Sequence, residues 1–371
     1  MATGFPTKAN WAAGDVLTAS ALDDLAGTVN LLSNASAATG SILVSNAAGT
    51  SFVYQGSMAA GKNICINGGF DIWQRGTSFT TFVYTADSWK MNPGGTVTVS
   101  QDTDVPTGVG VRYSLKQLTS ASSSFSQYQM GFEQATTIPM RNQVYTFSFY
   151  MKANATWSNT FSPQIWYSNA SDTLSTIMSG TVVTATGNTA PTPTTSWVRY
   201  AVTFTVPSDA VGIGVYFAPA AAQASGAALW IAGCQWEIGS VATAFTRSGG
   251  TIQGELAACQ RYYYRATNSS YGAYAMGTAY SSSAAYIPFV LPVTMRTIPT
   301  SVEFPSTVTN LKLTDIAANN ATISALSMDS SSASQNIIAI IATSSGMTTN
   351  KQYWLTNNNS TTGFVGVNAE L

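Results

Sequence analysis

Apolar and polar residues alternate with a period of two through most of the chain from about residue 63 to residue 245. One clear segment places its apolar side chains at Tyr145, Phe147, Phe149 and Met151. Since successive side chains of a strand point to opposite faces, this pattern predicts strands with one buried and one solvated face. Segments rich in Asn, Ser, Gly and Pro, such as "SNASDT" and "GNTAPTPTTS", separate the strands. The spacing predicts an antiparallel β-sandwich.

A different pattern precedes this region, in the segment "GDVLTASALDDLAGTVNLL". Ser20 and Asp23 have the spacing of a capping box, which predicts a helix start. Apolar residues then follow at alternating spacings of three and four, as in a coiled-coil seam: Leu22, Leu25, Val29 and Leu32. A seam shorter than two heptads is unstable alone, so we expect this helix to pack against copies of itself or another protein. The alternative is an amphipathic helix docked on its own domain.

Shifts in composition divide the chain further. A thin, Gly- and Ser-rich stretch with two small apolar clusters follows the helix and predicts a β connector. Gly249 and Gly250 precede a short helical pattern and indicate a hinge before a second module, which continues as strands with Ser- and Thr-rich loops. The predicted organisation is an attachment segment with a short helix at 1–34, the connector at 35–60, the sandwich at 61–248 and a β-rich tip module at 249–371.

The composition of the chain excludes several classes of function. Charged residues make up only 8% of the chain, with 15 basic and 16 acidic side chains and no basic run, so no nucleic-acid partner is expected. Histidine is absent, which removes the commonest general base and zinc ligand. Cys65, Cys234 and Cys259 have no CxxC spacing and are interpreted as small buried residues. No signal peptide and no membrane span are expected.

Several acidic residues are candidates for catalysis. Asp102 and Asp104 are two residues apart and could bind a cation or serve as a glycosidase pair, but we interpret them as part of a solvated loop. Glu133 and Glu237 lie in apolar alternating runs, where burial would suit a general acid. We interpret them as strand residues bound to backbone or solvent. No catalytic residue, catalytic metal or organic cofactor is predicted.

Aromatic residues give the more useful signal, with 9 Trp and 17 Tyr in a chain of little charge. Sites for neutral sugars use flat aromatic faces together with amides and hydroxyls. Six tryptophans in or beside strands are expected to pack the core: Trp73, Trp89, Trp166, Trp197, Trp230 and Trp236. The expected glycan-binding residues are one tryptophan in a polar loop and four tyrosines among small residues of the second module: Trp157, Tyr271, Tyr274, Tyr280 and Tyr286.

Several strings, in the same order along the chain, resemble those of bacteriophage tail fibres and receptor-binding virion proteins. "WAAGDVLTASALDDL" is similar to their virion-attachment segment, while "INGGFDIWQRGTSF", "YTADSWKM" and "CQWEIGSVATAFTR" are similar to the opening and closing of their body domain. "GELAACQRYYYR", "LPVTMRTIPTSVEF" and the final "AEL" resemble the C-terminal module that follows. These motifs mark a building block shared by many phage tail and virion proteins.

The body domain also resembles carbohydrate-binding jelly-roll modules, which open with an Asn-Gly-containing strand similar to Asn67–Phe70. The resemblance implies a mainly β fold with a jelly-roll sandwich and a sugar-binding architecture. Such modules often hold a structural calcium ion near the first strand, and Asp71 is a candidate ligand. Asp71 is equally placed to pair with Arg75, so no metal is predicted.

The resemblance implies a non-catalytic homotrimer of the phage tail, made in the host cytoplasm, with its N-terminus attached to other tail or virion proteins. The β-rich modules would then bind host-surface polysaccharide. Two alternatives remain: a virion decoration or assembly protein that binds no receptor, and a polysaccharide-degrading tailspike. The last would need a convergent acidic cleft, and the short repeat typical of a β-helix is missing from the sequence.

Overall fold

The computed structural model describes residues 41–45, 52–56, 62–122 and 124–371. The two N-terminal strands, β1 (Ser41–Ser45) and β2 (Phe52–Gly56), form an antiparallel hairpin within the segment predicted as a connector. The predicted helical seam of Leu22, Leu25, Val29 and Leu32 lies outside the described residues.

Residues 62–371 fold mainly into antiparallel strands, and the sequence-based prediction of a mainly β protein with a sandwich is confirmed. In spatial order, the first sheet contains β11 (Thr181–Val183), β10 (Phe161–Ser168), β14 (Gly212–Pro219), β8 (Phe125–Phe132), β5 (Lys90–Gly94) and β4 (Val83–Tyr84). The second contains β12 (Ala185–Gly187), β13 (Val198–Thr205), β9 (Val144–Ala153), β15 (Ala228–Ile238), β7 (Ser114–Thr119), β6 (Val97–Asp102) and β3 (Ser78–Phe79).

Aromatic side chains from the inner faces of both sheets fill the sandwich. Trp236 is fully buried, with its ring centroid 4.8 Å from that of Phe204 and 4.9 Å from that of Phe132. Trp89 is buried near Phe217, and Trp73 packs partly buried against the same core. Edge-to-face and offset packing of this kind adds to the free energy gained by burying the rings. The core positions predicted for Trp89 and Trp236 are confirmed.

The Asn67–Phe70 motif forms a tight turn that closes the sandwich. Asn67 and Phe70 both have positive φ, and the Asn67 side chain bonds the backbone N–H and C=O of Ile72, which fixes the turn. Gly68 lies against β15, where its carbonyl accepts a hydrogen bond from the Cys234 N–H at 2.8 Å. A Cβ at position 68 would lie 1.9 Å from the Cys234 carbonyl oxygen. The glycine is therefore required by close backbone approach.

Within residues 62–371, three helices support the sheets: α1 (Gln134–Met140), α2 (Leu174–Met178) and α3 (Ile252–Gln260). Helix α2 covers part of the first sheet, because a Cβ at Gly131 would meet Leu174 and Ile177 at 3.1 Å. Helix α3 begins where the Thr251 hydroxyl accepts a hydrogen bond from the Gly254 N–H. Within the described part of the chain, no helix has the length and hydropathy needed to cross a bilayer.

The C-terminal module combines a small sheet with a closed barrel. The sheet contains β16 (Tyr263–Thr267), β24 (Phe364–Asn368) and β19 (Ser301–Glu303). The barrel contains β17 (Ala273–Ala279), β18 (Ala284–Val290), β22 (Ile337–Ser344), β21 (Asn320–Asp329), β20 (Leu311–Thr314) and β23 (Gln352–Asn357), and two 3₁₀ turns at Val308–Asn310 and Ser330–Ser332. Ile287, Ile340 and Leu355 lie in its core. Closure pairs every barrel strand on both sides.

Gly249 and Gly250 connect the sandwich to this module in a packed turn rather than the expected hinge. The Gly249 N–H donates to Glu255 Oε2 at 2.8 Å, and a Cβ at position 249 would lie 2.1 Å from the Gly254 carbonyl carbon. Glu255 Oε1 also accepts a hydrogen bond from the Asn67 N–H. Burial raises the pKa of Glu255, although these backbone donors oppose the shift. The junction is therefore bonded to both the helix and the sandwich.

A buried ion pair joins the C-terminal residues to the sandwich. Arg75 Nη1 lies 3.1 Å from Glu370 Oε1, and the two side chains are only 7% and 6% exposed. The Arg75 guanidinium also stacks 3.3 Å from the ring centre of Tyr263 in β16. Nearby, the Tyr84 hydroxyl donates to the Leu371 carbonyl at 3.2 Å. The module is thus fastened through charged and aromatic contacts as well as through α3.

The three cysteines are free and fully buried, as predicted from their spacing. Burial raises the pKa of each thiol well above its ordinary value: Cys65, Cys234 and Cys259. A thiol is a poor nucleophile in its protonated form, so these residues act as small packing groups.

Candidate functional site

Two of the four predicted tyrosines lie together on the outer face of the barrel. Tyr286 in β18 is directly opposite Thr278 in β17, and Tyr280 follows β17 by one residue. The Tyr280 side chain is 55% exposed. A pocket of about 300 Å³ lies between them, lined by Met276, Gly277, Thr278, Tyr280, Tyr286, Pro288, Asn350 and Gln352. We call this the barrel pocket.

Strand alternation explains why these side chains point outward. Ala279 in β17 and Ile287 in β18 are buried in the barrel. The side chains that alternate with them in each strand therefore face solvent. Trp354 in β23 lies opposite Met276 and is 43% exposed, which extends the apolar surface beside the barrel pocket. Sequence reasoning missed Trp354, although its place between Tyr353 and Leu355 in a strand puts it on the face opposite to both.

The barrel pocket has the chemistry of a shallow site for a polar, ring-shaped ligand. Tyr280 and Tyr286 offer aromatic faces, on which apolar C–H groups can pack. Asn350, Thr278 and Gln352 line the same space with groups that donate and accept hydrogen bonds. The volume lies at the lower end of the range typical of small-molecule sites.

The other two predicted tyrosines do not line this pocket. Tyr271 is 61% exposed, with the Lys312 ammonium 5.2 Å from its ring centre. Tyr274 is half-buried, and its hydroxyl lies 2.8 Å from both Asn357 Oδ1 and the Gly363 carbonyl oxygen. Burial raises the pKa of Tyr274. Its hydroxyl ties β17 to the segments around β23, so Tyr274 serves the barrel's structure.

Trp157 is not the exposed platform that its polar neighbours suggested. Its side chain is 9% exposed and belongs to the sandwich core. The indole ring packs edge-on against Phe161 with centroids 5.9 Å apart, and Nε1 donates to the Asn159 carbonyl at 3.2 Å. The prediction was wrong because the loop turns this large ring inward, where its polar N–H still finds a partner.

Three tryptophans expected in the core are half-buried outside it: Trp166, Trp197 and Trp230. In β15, Leu229 and Ile231 face the core, so Trp230 between them faces outward. Trp166 packs edge-on against Tyr216 on the outer face of the first sheet, with centroids 6.1 Å apart. The sandwich therefore presents aromatic rings on both outer faces.

Asp102 and Asp104 are held in ion pairs instead of lying free in a solvated loop. Asp102 Oδ2 lies 2.9 Å from Lys116 Nζ, and Asp104 pairs with Lys152. Partial burial pushes the pKa of Asp102 upward, but the Asp104 N–H and the Lys116 ammonium outweigh it and hold that pKa below its usual value. These partners favour the charged form of Asp102 and leave it a poor general acid.

Glu133 and Glu237 also have structural partners. Glu133 accepts hydrogen bonds from the Arg261 guanidinium at 3.0 to 3.3 Å. Glu237 is almost completely buried, accepts the Thr243 N–H at 2.8 Å, and lies 3.4 Å from Lys62 Nζ. The interpretation as a strand residue bound to backbone holds for Glu237 in β15. Glu133 instead lies just after β8 and is bound by the Arg261 side chain.

Asp71, the candidate calcium ligand, pairs with Arg247 at 2.9 Å and not with Arg75. In the ranges that the structure describes, no group of three or more His, Cys, Asp or Glu side chains could hold a metal ion. The donor set around Asp71 therefore does not fit a calcium site built from several carboxylates.

Comparison with known proteins gives likenesses in structure alone. No protein-family model matches the chain, and no curated protein matches it. A tailspike protein 4 domain of Bacteriophage CBA120 is similar over 48% of this chain and 21% of that chain, at 16% identity and TM-score 0.34. The CBM22-1 xylan-binding domain from Paenibacillus barcinonensis is similar over 44% of this chain and 94% of its own, at 15% identity and TM-score 0.30.

The tandem CBM22-1–CBM22-2 domains of the same Paenibacillus protein are similar over 79% of this chain and 95% of their own length, at 11% identity and TM-score 0.30. The chain thus spans about a fifth of the tailspike domain but nearly all of the two carbohydrate-binding structures. Likenesses at these identities and TM-scores carry no argument about a ligand or an activity.

Proposed function

We propose that this chain is a non-catalytic tail fibre or spike of a bacteriophage that binds host-surface glycan through its β-rich modules. In this proposal it is made in the host cytoplasm, joins the virion through residues 1–34, and presents its barrel to the cell. The order of phage-like segments along the sequence supports the virion role. The glycan role rests on one observation, the exposed aromatic surface of the barrel pocket.

The barrel pocket suits a sugar better than a flat protein contact. Rings at Tyr280, Tyr286 and Trp354 can pack on sugar C–H groups, while the amides of Asn350 and Gln352 can bond hydroxyls. Each such site is shallow and therefore weak. Repeated copies on one particle raise the total affinity by about 10² or more when their spacing lets several bind together.

Removing the aromatic rings tests the glycan proposal. The triple variant Tyr280→Ala, Tyr286→Ala and Trp354→Ala is expected to bind host cells and purified surface polysaccharide at least tenfold more weakly, since each lost ring contact contributes about 0.5–1.5 kcal/mol. Binding is measured by cell pull-down and by surface plasmon resonance on immobilised polysaccharide. Tyr271→Ala is the matched control, because this ring is exposed but lies outside the pocket.

The same measurements separate the alternatives. A folded triple variant that binds as well as the parent would remove the barrel pocket from consideration. A parent chain that binds no host surface at all would favour a virion decoration or assembly protein that binds no receptor. New reducing ends released from the polysaccharide by the parent chain would contradict the non-catalytic proposal and favour a degrading tailspike.

The proposal includes a homotrimer built through the N-terminal seam of Leu22, Leu25, Val29 and Leu32. A seam shorter than two heptads gains enough buried surface only when it is repeated around an axis. Light scattering on the full chain is expected to give three times the monomer mass, and Leu25→Asp with Val29→Asp is expected to shift that mass to the monomer. A parent chain that stays monomeric at micromolar concentration would contradict the trimer.

A further inference from the structure

A second pocket lies on the sandwich, on the outer face of the seven-stranded sheet. Its volume is about 430 Å³. Strand β9 contributes two side chains, and the loops after β6 and before β13 contribute the rest: Pro106, Thr107, Tyr150, Lys152, Thr195, Ser196 and Trp197. We call this the sandwich pocket. None of the predicted glycan-binding residues lines it.

An aromatic and cationic row supports this pocket from the sheet. Trp230 in β15 pairs in register with Lys116 of β7 on one side and Lys152 of β9 on the other. The two ammonium groups lie 5.1 and 5.2 Å from the Trp230 ring centre. Such cation–π contacts hold both lysine side chains down on the sheet. Lys152, which also lines the pocket, is therefore fixed in position.

Each of the two lysines beside the sandwich pocket has a carboxylate partner. Asp102 neutralises Lys116, and Asp104 neutralises Lys152. Asp104 Oδ1 also accepts the Trp197 Nε1–H at 2.9 Å, which orients the indole ring at the pocket wall. One carboxylate thus fixes both a pocket aromatic and a pocket cation. Fixed groups of this kind lose little conformational entropy when a ligand binds.

We propose that the sandwich pocket binds a neutral saccharide ring with vicinal hydroxyls. Trp197 and Tyr150 line the pocket with aromatic rings, on which sugar C–H groups can pack. The Asp104–Lys152 pair offers an acceptor beside a donor, which matches two adjacent hydroxyls, and hydrogen bonds to charged groups are stronger than neutral ones. An anionic sugar gains no net attraction from Lys152, because Asp104 already compensates the charge of this lysine.

This inference rests on the proposed function, because it adds a second module to the binding of glycan. The site shares no residue with the barrel pocket, so its test is made where the barrel cannot contribute. The full chain carrying Tyr280→Ala, Tyr286→Ala and Trp354→Ala is titrated by NMR with methyl glucoside, methyl mannoside, methyl galactoside, methyl rhamnoside and glucuronate. We expect at least one neutral glycoside to bind with millimolar affinity and glucuronate to bind at least fivefold more weakly. Adding Trp197→Ala should weaken the neutral sugar at least tenfold.

Two further variants distinguish binding from folding. Ser196→Trp places a large ring in the pocket from an exposed position and should abolish binding without changing the melting temperature. Asp104→Asn leaves Lys152 without its counter-charge and should reverse the preference, so that glucuronate binds better than the neutral sugar by at least fivefold. Loss of a merely structural contact would not reverse selectivity.

Three results would overturn the proposal: no binding of any neutral glycoside to the folded chain, unchanged binding in Ser196→Trp, or stronger binding of glucuronate than of neutral sugars before Asp104 is replaced. Failure of the barrel variants to change cell binding would leave these measurements unaffected, because they report on the sandwich alone.

Discussion

Replacing Trp236 by alanine is expected to lower the free energy of unfolding by about 3–5 kcal/mol, the range for removing a buried Trp or Phe from a core. The ring is fully buried and lies among Phe132, Phe147 and Phe204 from both sheets. Its removal leaves a cavity that rigid aromatic neighbours cannot fill by small shifts. Chemical denaturation followed by circular dichroism measures the loss.

Trp166→Ala is the matched control, because this ring is half-buried on an outer face of the same sandwich. We expect it to cost no more than about 1 kcal/mol, because a ring removed from an outer face leaves no enclosed cavity. Equal losses in the two variants would contradict the assignment of Trp236 to the inner face.

Replacing Arg75 by alanine is expected to destabilise the protein strongly at pH 8 and much less at pH 5. At pH 8 the variant leaves the Glu370 carboxylate buried without its guanidinium partner, and breaking a buried ion pair in this way costs about 3–5 kcal/mol. At pH 5 the carboxyl can take up a proton, so the uncompensated charge disappears. Denaturation midpoints across this pH range measure the difference.

The direction of this pH dependence follows from two buried carboxyls at the junction of the modules. Burial raises the pKa of Glu370 to about 7, although Arg75 opposes the shift. Burial likewise raises the pKa of Asp87 to about 6, against hydrogen bonds from Gln74. Both groups bind protons more tightly in the folded chain than in the unfolded one. Their contribution to stability is complete below about pH 4 and is lost as the pH rises through 6 and 7.

The double variant Arg75→Ala with Glu370→Gln separates charge from packing. The amide carries no charge, so the double variant should recover part of the loss seen at pH 8 and show a flatter pH dependence than Arg75→Ala alone. A loss that is the same at pH 5 and pH 8 in Arg75→Ala would show that the guanidinium acts only through its packing on the rings of Tyr263 and Tyr84.

The fold could be predicted well where a single local rule governs the chain. Alternation over Tyr145–Met151 identified a strand and its inner face correctly, because period two follows directly from strand geometry. The face predicted as solvated is also buried at Thr146 and Ser148. The three cysteines, which have no CxxC spacing, were likewise correctly placed inside. These predictions required no knowledge of which strands are neighbours.

The outward tryptophan of β15 could not be predicted in this way. Trp230 and Trp236 are six residues apart, which in a regular strand places both on one face. A β-bulge between Ala232 and Gln235, with Gly233 at positive φ, shifts the register and sends the two rings to opposite faces. The row of Lys116, Trp230 and Lys152 beside the sandwich pocket depends on that one extra residue. The side chains around the pocket, on β6, β7, β9 and in the loop before β13, are also distant from one another in sequence.

The buried position of Trp157 and the hydroxyl contacts of Tyr274 could not be predicted, for a related reason. A polar sequence around an aromatic residue predicts exposure only if the loop stays extended, and the loop after β9 instead folds over the core. Tyr274 bonds Asn357 and Gly363, which are close to it only after the barrel has closed. Contacts of long sequence separation leave no local signal.

The same long-range pairing determines when the protein can fold as it leaves the ribosome. The Asn63 side chain bonds the carbonyls of Cys234 and Thr246, so the sandwich cannot close until its last strand has been synthesised. Strands β16 and β19 cannot pair until β24 has been synthesised, and Arg75 cannot form its ion pair until Glu370 has been synthesised. Nascent chains therefore carry unpaired strand edges through most of translation, a state prone to aggregation. Slower synthesis does not shorten that interval, whereas a chaperone that covers exposed edges would protect the chain throughout it.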